Sequence, residues 1–224
     1  MRSNLKYVCA NSLAAAALVL LANAASAQAD THSLDGWNAV GDAIAAQGAI
    51  TVTTAYLDGA GDEPYNLSGH SAVDIALVED AAGLAPYALD LPYPDYATEG
   101  SLVSQSFAVQ AGQTLSFDWS FTTHEDRFED HAWAVVDGRL YALATRSQGG
   151  AALNHFSYTY AGSGMTTLAL GVVDTGDVLG VSALTISQLA VSAVPEPALP
   201  VLLLAGLLPL FVVARRRAQS PTWR

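Results

Sequence analysis

The stretch Thr114-Leu115-Ser116-Phe117-Asp118-Trp119-Ser120-Phe121 alternates large apolar with small polar residues. A period of two puts every second side chain on the same side of an extended strand, so one face is buried and the other wet. The pattern repeats around it. Ser101 to Gln110, Ala132 to Val136, Leu140 to Ala144, Phe156 to Tyr160, Thr166 to Val173 and Leu184 to Val191 read as further strands, separated by Gly, Asp and Ser turns. Upstream, 37–42 and 49–56 read as two early strands split by glycine. Short strands in series predict an all-β fold, a β-sandwich or jelly roll, and exclude a parallel α/β sheet.

One short helix interrupts the series. Between Ser71 and Ala82, Ser71 stands as the cap, Val73, Ala76 and Leu77 share a helical face, and Gly83 follows as a stop. After it, Leu91-Pro92-Tyr93-Pro94-Asp95-Tyr96 forms an aromatic loop, because proline lacks the N–H that a regular element needs.

The two ends of the chain are of another kind. Arg2 and Lys6, an apolar run from Leu13 to Ala22, and the small residues Ala25-Ser26-Ala27 have the form of a signal peptide over 1–27, with Ala25 and Ala27 marking the cleavage site. Cys9, the single cysteine, lies inside that segment, so the mature chain has no thiol or disulfide. At the other end Pro195-Glu196-Pro197 precedes an uncharged apolar run over 198–214, followed by Arg215-Arg216-Arg217. As a helix this run spans about 25 Å, close to the ~30 Å hydrocarbon core of a bilayer. The arginines would hold its end in the cytoplasm, with 219–224 as a short cytoplasmic tail.

Between these ends, 28–193 reads as one ectodomain. The whole chain has a formal charge of −12, but six of its nine basic residues are terminal. The ectodomain keeps only Arg127, Arg139 and Arg146 against twenty Asp and Glu, a formal −17. Such a surface repels nucleic acid and has nothing to neutralise phosphates.

Pro-Glu-Pro, one hydrophobic helix and an arginine cluster, in that order over 194–218, resemble the PEP-CTERM sorting signal of Gram-negative bacteria, also labelled an ice-binding protein C-terminal domain. The resemblance implies an exported exosortase substrate that uses the export translocon and is anchored in the inner membrane before processing. It then passes to the cell surface or to an exopolysaccharide matrix, as in a biofilm. Pro195, Glu196 and Pro197 would be the recognition element and Arg215, Arg216 and Arg217 the retention cluster. Glu99-Gly100-Ser101, the run from Ala111 to Trp119, Gly171-Val172-Val173-Asp174 and Ser182-Ala183-Leu184 resemble the β-sandwich ectodomains found ahead of such tails. That second resemblance implies a fold and no catalytic residues.

Candidate chemistry gathers between two strands, in the segment from Thr122 to His131. Calcium takes six to eight oxygens, and Glu125, Asp126, Glu129 and Asp130 are candidate ligands, although the spacing is not that of a calcium loop. The competing reading is a solvated acidic loop with Arg127 as its counter-charge. His124 and His131 lack the spacing of a zinc motif. Asp174-Thr175-Gly176 matches the catalytic tripeptide of aspartic proteases but occurs once, and reads better as a turn. Glu99 with Asp118 has the residue types of a glycosidase pair without evidence of proximity.

Aromatic rings complete the set. Trp37, Trp119, Trp133, Tyr87, Tyr93 and Tyr96 have the chemistry of a sugar-stacking platform. Trp119 and Trp133 sit in alternating strands and read as core, which leaves Tyr93 and Tyr96 as the candidate carbohydrate ligands. Three functions follow as expectations: a non-enzymatic structural or adhesive sandwich, a carbohydrate-binding module with or without calcium, and an envelope glycoside hydrolase.

Overall fold

A computed structural model describes residues 36–57, 61–148 and 150–192 of the chain. The signal peptide over 1–27, the sorting signal over 194–218 with its helix, and the tail over 219–224 lie outside the described residues. Among the described residues no helix is long and apolar enough to cross a membrane.

Among the described residues, eleven strands and one α-helix make a two-layer β-sandwich. β1 (Asn38–Val40), β4 (Val73–Asp74), β5 (Ala97–Val109), β7 (His131–Val136), β8 (Arg139–Thr145) and β10 (Gly164–Thr175) form the first sheet, ordered β1-β5-β10-β7-β8 with β4 on β5. The second runs β2-β3-β11-β6-β9, from β2 (Asp42–Ala46), β3 (Ala49–Thr53), β6 (Thr114–Thr123), β9 (Gly150–Thr159) and β11 (Ser182–Val191). Every described strand pair is antiparallel.

The alternation of β6 is realised: Leu115, Phe117, Trp119 and Phe121 are all buried. They meet Leu168, Leu170 and Val172 of β10 and Leu184 and Ile186 of β11 in the core between the sheets. The sequence reads two early strands where three exist. Gly41, at φ 83°, turns the chain from β1 in the first sheet to β2 in the second, and a side chain there would strike Ser101 Oγ at 2.2 Å.

A second core lies on the outer face of the first sheet. The helix α1 (Ile75–Ala82) places Val78 and Ala82 against Leu89, Leu102, Trp133, Ala169 and Val173. Trp133 fits because its register partner is Gly171, where a Cβ would lie 2.3 Å from the indole. β7 is therefore buried on both faces.

The helix departs from its sequence reading in start, cap and face. Val73 pairs with Gly100 in β4, which holds the chain extended as far as Asp74. Asp74 is the cap instead, its Oδ1 accepting the Ala76 N–H at 2.9 Å, while Ser71 Oγ accepts the N–H of Leu57. The turn rotates accordingly, and Leu77 faces outward at 57% exposure. Gly83 ends the helix as expected, in the left-handed conformation.

Candidate functional site

Helix α1 and the segment after it build a groove on the outer face of the first sheet. Glu79, buried on α1, accepts the N–H of Tyr87 at 2.9 Å with one oxygen and that of Leu89 at 3.1 Å with the other. These bonds fold 84–90 back over the helix and hold Tyr87 at φ 67°, an uncommon backbone for a bulky residue. Asp90 Oδ1 then accepts the Ala97 N–H at 3.1 Å, joining the segment to the start of β5. The proline loop closes on itself through Leu91 N–H to Asp95 O at 3.1 Å and Tyr96 N–H to Pro94 O at 3.0 Å. It is pinned from below by Glu129 N–H to Asp95 Oδ1 and Gly176 N–H to Tyr96 O, both 2.9 Å.

The result is an open groove of about 490 Å³ whose lining includes Ile75, Ala76, Pro86, Tyr87, Asp90 and Tyr96. Tyr87, Tyr93 and Tyr96 are 80%, 81% and 51% exposed. Tyr93 stands beside the lining, with its ring edge-on to Tyr96 at 6.0 Å. The proline-loop tyrosines are thus exposed and next to a groove. Trp119 and Trp133 are core, and Trp37 is partly buried against the inner core.

The four candidate calcium ligands do not converge. Glu125 Oε1 accepts the N–H groups of Arg127 and Phe128 and so shapes its own loop. Glu129 pairs with Arg146 at 3.1 Å and accepts the Ser147 N–H at 3.0 Å. Those contacts hold its carboxyl below the usual range even though burial opposes the shift. Asp126 points outward, and Asp130 points into the sandwich. Among the described residues no three acidic, histidine or cysteine side chains are placed to hold a metal ion. The His124 ring lies tilted beside that of Tyr65, 4.6 Å between centroids, whereas His131 is buried, and burial pulls its pKa down.

Other carboxylates do meet, inside the fold. Glu99 of β5 is the register partner of Asp174 of β10, and Asp130 lies one step beyond the last β10–β7 rung, Val173–His131. Three acidic residues thus stand abreast on neighbouring strands, all nearly inaccessible. Asp130 accepts the Thr175 N–H at 3.0 Å and the Ser182 hydroxyl at 2.6 Å. Asp174 Oδ1 and Glu99 Oε1 have no hydrogen-bond partner. Burial, followed by the charge of Asp62 and Asp130, pushes Glu99 up to about 7. Burial with mutual repulsion raises Asp174 well beyond the carboxylate range, and Asp130 rises with it. Glu99 and Asp118, which have the residue types of a glycosidase pair, are split between the sheets, and Asp118 bonds His155 at 2.7 Å. Asp174-Thr175-Gly176 ends a strand whose acidic neighbours, Asp130 and Glu99, only the strand register reveals.

No family model and no curated protein matches the chain. Among solved structures, the carbohydrate-binding module TmCBM61 in complex with β-1,4-galactotriose aligns with 70% of this chain and 88% of its own. The identity is 14% and the TM-score 0.32. The two-sheet sandwich stands on this chain's own strand pairing.

Proposed function

We propose that the chain is an exported, exosortase-sorted protein of the cell surface or exopolysaccharide matrix, and that its β-sandwich is a non-enzymatic, adhesive glycan-binding module. The tripartite tail over 194–218 and the leader over 1–27 support the sorting half of this reading. The observation that supports the binding half is the exposure of Tyr87, Tyr93 and Tyr96 around one open groove. Solvent-facing tyrosines on a fixed loop offer flat apolar faces with polar edges, the chemistry on which the CH face of a sugar ring stacks. The groove is held open by Glu79 and Asp90 through backbone bonds, so little ordering is needed on binding.

A binding rather than a hydrolytic role agrees with the place of the acidic trio. Glu99, Asp130 and Asp174 are buried in the sandwich, and none of them lines the groove. Co-sedimentation with the producing organism's exopolysaccharide tests the reading. Saturable binding should be reduced at least roughly tenfold in the Tyr93→Ala/Tyr96→Ala double variant, since each lost stacking face is worth on the order of 1 kcal/mol. Failure to bind, with or without calcium, would leave a structural protein whose partners are other proteins.

A further inference from the structure

We infer that the tyrosine groove takes a glycan bearing protonated amino groups, a polymer of free hexosamine, in preference to an uncharged or an acidic one. This rests on the glycan reading of the groove and assigns the chemical class of its ligand.

The inference comes from what lines the groove and what does not. Asp90 commits one oxygen to the Ala97 N–H, while its other oxygen takes no hydrogen bond from the described residues. Glu79 also lines the groove; both its oxygens are used by backbone N–H groups, but its charge remains to act at short range. No lysine or arginine stands among the lining residues. The described residues hold three arginines and no lysine. Arg146 is paired with Glu129, Arg127 lies over the ring of Phe128 at 4.6 Å, and Arg139 opens β8 on the far edge of the first sheet.

A neutral sugar would use the tyrosine faces and leave the charge of Asp90 and Glu79 without a counter-charge. A uronic acid would be repelled by both. An ammonium group set on a pyranose satisfies both features at once, because its ring CH face stacks on tyrosine and its charge meets Asp90. The tyrosine faces themselves attract a cation through their negative π clouds. The surplus of acidic over basic residues also draws a polycation towards the groove before contact.

The test uses the full-length chain in detergent micelles and follows tyrosine fluorescence on titration, at about pH 5.5, where a hexosamine amine is protonated. The probes are the fully deacetylated β-1,4-glucosamine hexamer, its N-acetylated counterpart, cellohexaose, an oligogalacturonate and a lysine oligomer. The glucosamine hexamer should bind at least about tenfold more tightly than the N-acetylated and neutral hexamers, a margin that shrinks as salt screens the charge. The oligogalacturonate should not bind. In Asp90→Asn the preference should collapse to about twofold or less, and the wild-type comparison decides the matter even where that variant does not fold. Equal or weaker binding of the deacetylated hexamer overturns the amine inference and leaves the glycan reading standing. Saturation by no sugar at all overturns both. Tighter binding of the lysine oligomer than of the glucosamine hexamer overturns the inference in favour of a basic peptide.

Discussion

Asp42 and Asp174 are both buried aspartates at strand ends, and the fold accommodates them in opposite ways. Asp42, fully buried at the start of β2, accepts the Thr53 hydroxyl at 2.5 Å, the Leu67 N–H at 3.0 Å, and the Ser68 N–H and hydroxyl at 2.7 Å each. A loop from elsewhere in the chain folds over it to supply the donors. Asp174, 1% exposed at the end of β10, meets Glu99 as its register partner and Asp130 beside it, with one oxygen bare. The first carboxylate has its lone pairs met by donors of the protein itself. The second is surrounded by its own kind, and only a retained proton relieves the repulsion. Buried charge is therefore not one situation: donors make it a structural pin, and like neighbours make it a titrating weakness.

The largest effect should come from breaking the pin. Asp42→Ala strands the buried Thr53 hydroxyl and three part-buried donors of Leu67 and Ser68, and a buried donor left unmet costs about 1–3 kcal/mol. A loss of at least about 3 kcal/mol is expected, or roughly 6–12 °C in the thermal midpoint of a domain of this size. Circular dichroism melts at neutral pH measure it. A shift below about 2 °C would mean that water replaces Leu67 and Ser68 as donors, and the contrast with Asp174 would vanish.

The next effect is one of pH. The pKa of Asp174 in the folded state is raised above its ordinary 3.8, so the fold binds a proton that the unfolded chain releases. The associated stability is complete below about pH 4 and is lost as pH climbs towards the raised value. Between about pH 7 and 9 the wild-type midpoint should fall, with a slope of at most about 1.4 kcal/mol per pH unit from this group. Asn is close in shape to the protonated acid, so Asp174→Asn should flatten that slope while changing stability little in acid. His131, whose pKa burial lowers, acts with opposite sign but only below about its ordinary 6.5, outside this window. A wild-type midpoint that rises from pH 7 to 9 contradicts the account.

These differences bear on what a sequence discloses. The strands were legible because alternation in Leu115, Phe117, Trp119 and Phe121 is a local consequence of burying one face. Tyr93 and Tyr96 were legible as loop residues because the adjacent prolines exclude a sheet interior. The true start of α1 was not, since it depends on Val73 pairing with Gly100, a non-local event that overrides a good local cap at Ser71. The acidic loop misled for the same reason. Glu125, Asp126, Glu129 and Asp130 are neighbours in sequence, yet Asp130, one residue ahead of β7, is turned inward while Asp126 stays in the exposed part of the loop. The trio that does form needs β5, β10 and β7 side by side, and nothing in the spacing of 99, 130 and 174 indicates it.

Glu99 sharpens the comparison, with the smallest effect of the three. It shares the cluster but is pushed only up to about 7 from its ordinary 4.5. Its proton stabilises the fold below about pH 4.5, and that contribution fades as pH rises through about 7. Glu99→Gln should therefore remove part of the decline between those values and leave the slope above pH 7 to Asp174. Between pH 5 and 7 a folded value of about 7 against the ordinary 4.5 limits the change to at most about 2 kcal/mol. Denaturant melts at pH 5, 6 and 7, read as differences between variant and wild type, isolate it from the histidine. If Glu99→Gln also abolishes the slope between pH 7 and 9, Glu99 and Asp174 share a single proton. Asp174 alone would then not account for the contrast with Asp42.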